Sequence, residues 1–285
     1  MRIVRYVDPC IGGPGVGIVD GDSIAEVPNS GGDLGALLLL DRAGLERVAS
    51  TALATHKLSE VRLLPPVGKP GKILPLAGNY HPPDKDLDIN LEIETPEFFS
   101  KPNTSLLAHD EVIPMHEVTV NLAEEIELGV VIGKPGRRIA REAALDHVFG
   151  YTVMNDVSAR ELRFSPDRAD KARKGWFDWL NGKWLDGYCP GGPWIVHQSD
   201  VRAPHKLEIT TKINGKVVMQ SNSSRMIWDI PSQIEYISRF CTMEPGDLIV
   251  TGVVGHHTQY LQDGDVVEGT IEEVGTLRNP VGHSS

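Results

Sequence analysis

Glu124-Glu125-Ile126-Glu127-Leu128-Gly129-Val130-Val131-Ile132-Gly133 is the stretch of this 285-residue chain whose residue types and spacing point most directly to chemistry. Read as a β-strand, it places Glu125, Glu127 and Gly129 on one face and Ile126, Leu128, Val130 and Ile132 on the other. The apolar face must be buried. Same-side neighbours stand roughly 6.5–7 Å apart at Cα, so the two carboxylates can converge on one point. Left alone they repel each other and are costly to desolvate. A hard divalent cation such as Mg²⁺ or Mn²⁺ removes that cost and prefers oxygen ligands. A half-exposed strand carrying scattered Glu accounts for the same pattern equally well. A third carboxylate shifts the balance. Gly150-Tyr151-Thr152-Val153-Met154-Asn155-Asp156 reads as an apolar strand ending in an acid. Asp156 could cap a short helix expected from about Val157. Ser158 and Glu161 form a capping box of their own there, which leaves Asp156 available as a third ligand.

The elements that must position these groups are mostly strands. Arg2 to Tyr6, Val16 to Asp20 and Ile24 to Val27 read as short strands broken by turns. A helix is expected next, with Asp33 as its N-cap and Leu37, Leu38, Leu40, Leu45 and Val48 on its apolar face. The run Pro65-Pro66-Val67-Gly68-Lys69-Pro70-Gly71 then interrupts regular structure. It divides a small N-terminal α+β domain, residues 1–65, from a main domain, residues 66–285. In the main domain Lys72 to Leu76, Ile126 to Ile132, Gly150 to Met154, Trp194 to Val196 and Leu207 to Ile213 are β-branched runs bounded by turn residues. Asn214-Gly215 signals a two-residue hairpin. Helices are expected over Arg141 to Phe149 and Pro231 to Cys241. The fold class is therefore α+β, mainly β, without a regular βαβ alternation. Tyr80 to Pro102 and Phe164 to Asn181 read as long binding loops or lids.

Composition narrows the class of function. With 28 basic and 39 acidic residues the formal net charge is −11, and no Lys/Arg-rich run occurs, which argues against nucleic acid as a partner. No apolar stretch approaches bilayer length, and Met1 to Tyr6 lacks the pattern of a signal peptide, so neither membrane nor export is expected. Cys10, Cys189 and Cys241 are an odd count with no CxxC spacing, as suits a reducing cytoplasm. No Gly-rich phosphate loop is found.

Several motifs in order resemble the fumarylacetoacetate hydrolase family. They are Glu125 to Lys134, Gly150 to Arg160, Gly182-Lys183-Trp184-Leu185-Asp186-Gly187 with Pro190-Gly191-Gly192-Pro193-Trp194, Met226-Ile227, Glu244-Pro245-Gly246-Asp247-Leu248-Ile249, and Thr251-Gly252. Upstream, Gly78-Asn79-Tyr80 and Phe99-Ser100-Lys101-Pro102 also fit, so the resemblance spans about Lys72 to Val281. It implies a mixed β-sandwich roll, a homodimer, a Mg²⁺ or Mn²⁺ held by Glu125, Glu127 and Asp156, and a small anionic 2-oxo acid as substrate. It places Lys183 at a developing enolate, and Tyr80, Thr251 and Gly252 at the substrate. Without the resemblance, Lys183 reads as a solvated lysine after an Asn-Gly turn.

The departures bear on the reaction. Hydrolytic members carry a water-activating His a few residues after the Asn-Tyr pair, whereas here His81 follows Tyr80 directly. His256 and His257 are substitute candidates, since imidazole titrates near neutral pH. Arg160, Arg163 and Arg225 are candidate anchors for a substrate carboxylate. The leading expectation is a metal-dependent hydrolase cleaving a C–C bond in an acylpyruvate-like 2,4-dioxo acid, with Lys183 and His81 catalytic. Decarboxylation or isomerisation of a 2-oxo acid on the same site is the alternative. A catalytically silent 2-oxo-acid-binding dimer is a third reading.

Overall fold

The computed structural model describes every residue except 9–11, 53, 83, 85, 92, 164–170, 254–258 and 284–285. The strands used below are β1 (Arg2–Val7), β2 (Pro14–Asp20), β3 (Ser23–Glu26), β4 (Thr55–Lys57), β5 (Ile73–Ala77), β6 (Ile126–Ile132), β7 (Val148–Asn155), β8 (Cys189–His197), β9 (Glu208–Ile213), β10 (Lys216–Asn222), β11 (Leu248–Val250), β12 (Val266–Ile271) and β13 (Gly275–Gly282). The helices are α1 (Arg42–Ser50), α2 (Lys171–Asn181) and α3 (Ile230–Phe240). Residues 189–197 form a longer strand than the expected 194–196, and the Asn214-Gly215 hairpin joins β9 to β10.

A twelve-stranded sheet runs β4-β3-β2-β1-β8-β7-β6-β11-β5 and ends on the short strand Glu97–Phe98, with Arg62–Leu63 paired to β1 and Leu106–Leu107 to β8 off this path. A five-stranded sheet runs β10-β9-β12-β13 and ends on Ile113–Pro114. Pairing is largely antiparallel, with β11 parallel to β5. Ile126, Leu128 and Val130 of β6 share one core with Ile209, Val267, Ile271 and Leu277 of the second sheet. On the opposite face Val131 joins Ile3, Ile18, Leu37, Leu38, Phe149 and Ile195 in a second cluster. Every residue of β6 is thus buried, and the half-exposed reading of this strand does not hold. Gly129 is required there because a Cβ would come within 2.5 Å of Met154 Cγ. The architecture is mainly β, with mixed sheets and few helices.

Four local expectations change. Residues 35–39 form a 3₁₀ turn, and the helix proper starts at Arg42, capped by Asp41, whose side chain accepts the Gly44 N–H at 2.8 Å. Asp33 caps nothing beyond the Gly35 N–H. Arg141–His147 is 3₁₀, because the β-branched and aromatic run from Val148 is drawn into β7. No helix starts at Val157: Ser158–Ala159 is a short strand paired with Leu122–Ala123, so the Ser158/Glu161 capping box does not form. Residues 171–181, read as loop, are helical despite Gly175 and a charged sequence. Helix α3 starts at Ile230 with Asp229 as its cap. Among the described residues no helix is long and apolar enough to cross a membrane.

The sheet's N-terminal edge holds a titratable cluster. His56 of β4 donates from Nδ1 to Asp8 Oδ2 at 2.8 Å and from Nε2 to Glu26 Oε2 at 3.0 Å. The Glu26 hydrogen bond, joined by Asp8, raises the imidazole above 6.5 against the opposing effect of burial. A histidine raised in the folded state contributes full stability below its unfolded value, and loses that contribution as pH rises through the folded one. The melting temperature should therefore fall as pH climbs above 6.5, and His56→Gln should flatten that fall in a pH series of thermal melts.

Candidate active site

The register between β6 and β7 builds the centre. Ile126 lies opposite Asn155 and Glu127 opposite Met154, which sets Asp156 beside Glu125 just beyond both strand ends. The Asp156 N–H donates to Glu125 O at 2.8 Å, and the Glu125 N–H donates to Asn155 Oδ1 at 2.8 Å. One carboxylate oxygen from each of Glu125, Glu127 and Asp156 lies within 4.8 Å of the others, and all three residues are buried.

Two lysines flank Asp156. Lys101 Nζ donates to Asp156 Oδ1 at 2.6 Å and to Val157 O at 3.1 Å. Lys183 Nζ donates to Asp156 Oδ2 at 2.6 Å and Asp156 O at 2.9 Å, and pairs with Glu125 Oε1 at 2.9 Å. Arg160 Nη2 donates to the same Glu125 oxygen at 2.5 Å. Burial alone would push the Asp156 carboxyl up, but Lys101 and Lys183 hold it below its usual range. Burial would likewise push Lys183 down, while Asp156 and Glu125 keep it protonated above its ordinary value. Lys183 is accordingly a buried ammonium held charged by its carboxylate partners and not a solvated turn lysine.

Glu127 is the carboxylate with capacity to spare. Its Oε2 accepts the Gly252 N–H at 2.5 Å, while Oε1 is buried with no hydrogen-bond partner. Burial first, then the charges of Asp156 and Glu125, push the Glu127 carboxyl well above its usual range. An orphaned buried oxygen among three converging carboxylates is the donor set a hard divalent cation satisfies. The residues present therefore fit such an ion.

A cavity of about 290 Å³ opens onto Glu125, Asp156, Arg160 and Lys183. Its remaining wall includes Leu76, Tyr80, Leu87, Phe99, Trp179 and Val253. That volume is at the small end for ligand sites, which suits a compact acid. Trp179 of α2 packs edge-on against Phe99 at 5.1 Å, and Lys183 Nζ stands 5.8 Å from the Phe99 ring centre.

The structure brings together Glu125, Glu127, Asp156, Lys183, Arg160, Tyr80, Thr251 and Gly252. Tyr80 lines the cavity, and its hydroxyl and that of Thr251 are both buried and lie close to each other. The Gly252 N–H, expected to face substrate, is committed to Glu127 instead. Gly252 adopts φ +93°, and a Cβ there would sit 2.9 Å from Asn79 Cβ. His81 is not among the side chains lining the cavity: its Nδ1 accepts the Leu87 N–H at 2.9 Å. Arg225 donates to Pro82 O at 2.5 Å and Asp86 Oδ1 at 2.9 Å, and it is not among the side chains lining the cavity. Arg163 is exposed and lies outside the lining. His256 and His257 lie outside the described residues.

Two contributors, Asn79 and Lys101, stand in motifs that carry the family resemblance but have no role assigned from the sequence. Lys101 looks like a surface lysine before Pro102; its signal was the aromatic pair Phe98-Phe99 beside it. Asn79 is fully buried and staples three segments: Nδ2 donates to Thr251 O at 2.7 Å and Trp228 O at 3.2 Å, and Oδ1 accepts the Trp228 N–H at 2.9 Å. Asn79→Ala strands these backbone groups, and we expect a loss of about 2 kcal/mol in urea unfolding.

The model of the fumarylacetoacetate (FAA) hydrolase C-terminal matches residues 74–282. The chain belongs to the fumarylacetoacetate hydrolase family. Oxaloacetate tautomerase YisK of Bacillus subtilis is 40% identical over 238 residues, 80% of this chain and 75% of that protein. Two solved family structures superpose over their full lengths and all of this chain. Fumarylacetoacetate hydrolase from Exiguobacterium antarcticum does so with a TM-score of 0.82 at 29% identity. Maleylpyruvate hydrolase from Sphingobium sp. SYK-6, in complex with manganese(II) and pyruvate, does so with 0.79 at 28%. The family thus includes both hydrolases and a tautomerase, and this chain is an enzyme of that family with a candidate metal centre.

Proposed function

We propose that the protein is a Mg²⁺- or Mn²⁺-dependent tautomerase or isomerase acting on a small 2-oxo dicarboxylate of the oxaloacetate type. The observation that carries this reading is the cavity's own chemistry. Lys183 is an ammonium placed among the metal-binding carboxylates, and no described histidine lines the space. Enol–keto interconversion needs charge stabilisation and a proton at carbon; it needs no activated water. The similarity to an oxaloacetate tautomerase supports the same choice.

Bound at the trio, the cation supplies a Lewis acid for the carboxylate and keto oxygens of a 2-oxo acid. Lys183 holds at Nζ the proton that passes to the substrate's C3 in the enol-to-keto direction, the enol O–H proton leaves to solvent, and a solvent proton restores the ammonium. The apolar wall of Leu76, Leu87, Phe99 and Val253 limits water around that carbon. Arg160, at the same cavity, is the anchor for the distal carboxylate. The charges agree: three carboxylates face Lys101, Lys183 and Arg160, so the protein's own groups balance and a divalent cation leaves two positive charges for a dianion. Counting Lys183 alone, as the sequence invites, gives a neutral metal-loaded site; Lys101 and Arg160 make it attractive to a dicarboxylate.

C–C hydrolysis of an acylpyruvate-like 2,4-dioxo acid is the second reading, supported by the likeness to maleylpyruvate hydrolase with manganese and pyruvate. It requires His81 or another base to reach the cavity. One assay separates the two. The metal-loaded protein is given enol-oxaloacetate and a panel of acylpyruvates, with His81→Ala alongside. We expect accelerated ketonisation that survives His81→Ala and no acylpyruvate cleavage. Acylpyruvate cleavage lost in His81→Ala, without ketonisation, would replace this reading with the hydrolase.

A further inference from the structure

Asp156 is held by two buried ammonium groups at equal distance, 2.6 Å each, yet their surroundings differ. The Lys101 side chain has no exposed surface, and its other contact is Val157 O, so it is walled in. Lys183 lines the cavity and has the face of Phe99 within 5.8 Å of Nζ. It also bridges two of the three carboxylates. Glu125 Oε1 accepts from both Lys183 and Arg160, which occupies both its lone pairs. A divalent cation ligated at about 2.1 Å by Asp156 Oδ2 would stand at most about 4.7 Å from an ammonium 2.6 Å away on the same oxygen. Two positive groups of that combined charge repel strongly at such a separation in a low-dielectric site.

We infer that Lys183 and the divalent cation compete for the same carboxylate oxygens, so that cation binding drives the Lys183 ammonium off Asp156 and Glu125 and into the cavity. Lys101 stays behind as the fixed counter-ion that keeps Asp156 oriented. The consequence is ordered assembly: the lysine that serves the substrate is delivered by the metal and withdrawn without it. This rests on the trio's holding a divalent cation, and it is indifferent to which reaction the site performs.

The test uses Mn²⁺ binding by calorimetry in the absence of substrate, on the full-length protein, Lys183→Met and Lys101→Met. Each variant removes one positive charge from the same carboxylate, but only Lys183→Met also vacates the bridging position. We expect Lys183→Met to bind Mn²⁺ at least about tenfold more tightly than both the parent and Lys101→Met. Equal tightening in the two variants, or none in Lys183→Met, overturns the exchange while leaving the metal site standing. No binding by any of the three overturns the metal site and the exchange with it. Should Lys101→Met not fold, reductive methylation of the parent with and without Mg²⁺, read by peptide mass spectrometry, decides alone. Lys183 should pass from protected to reactive on adding Mg²⁺, and unchanged protection contradicts the exchange.

Discussion

Lys183→Met should lower kcat for enol-to-keto conversion of oxaloacetate by about 100- to 10,000-fold, the usual worth of a placed acid or base. The side chain is an ammonium that lines the cavity beside the carboxylate trio, held charged by Asp156 and Glu125. Methionine fills similar volume without a proton to give. Asp156 keeps Lys101 at 2.6 Å, so the variant should fold, as circular dichroism would show. Lys183→Arg separates charge from proton transfer. Guanidinium stays protonated at any working pH, so it restores attraction for the substrate without restoring transfer. Steady-state kinetics should accordingly show KM partly recovered in Lys183→Arg with kcat still low. Recovery of kcat would mean that Lys183 acts by charge alone.

Glu127→Gln should make the metal-free protein more stable while abolishing its response to metal. Glu127 is fully buried, faces two other carboxylates and leaves Oε1 without a partner. That arrangement costs stability unless a cation compensates it. Glutamine keeps the shape and removes the charge, and a gain of about 1–2 kcal/mol is expected, in line with other functional sites relieved of strain. The parent should gain about 2.7 kcal/mol from a cation at a hundred times its Kd. Glu127→Gln should gain almost nothing. Thermal melts with and without Mn²⁺ give both numbers, and a destabilised variant that still responds to Mn²⁺ would place the cation elsewhere.

The convergence of the three carboxylates was legible because a strand's twofold period is visible in sequence. Glu125 and Glu127 flank Ile126 in an apolar run, and Asp156 ends the next such run. Antiparallel register then sets the third carboxylate beside the first two. What surrounds them was not legible residue by residue. Lys101 and Lys183 are isolated lysines at turns, where the default is solvent, and only long-range pairing shows both against one buried acid. Gly252 resembled a substrate donor because its partner Glu127 lies 125 positions away. Residues 171–181 fold as a helix whose local sequence carries a mid-helix glycine and four charged residues, Lys171, Arg173, Lys174 and Asp178. Trp179 packing on Phe99 supplies a tertiary anchor that no window of sequence displays. At Ser158 a local cap signal lost to a strand pairing with residues 122–123, the usual outcome when a short helix competes with a buried ladder.

The net charge of −11 argues against polyanions as partners, while the charge balance proposed for the site suits a dianion. The acidic surplus lies outside a pocket whose three carboxylates are matched by three cationic side chains before any metal arrives. The most direct test of the metal-assisted enol chemistry is exchange of the C3 protons of oxaloacetate in D₂O, followed by NMR. The account predicts C3 deuteration accelerated by the Mg²⁺-loaded protein, lost with EDTA or in Lys183→Met, with the carbon skeleton intact. No acceleration by the metal-loaded protein, or carbon–carbon cleavage without exchange, would contradict it.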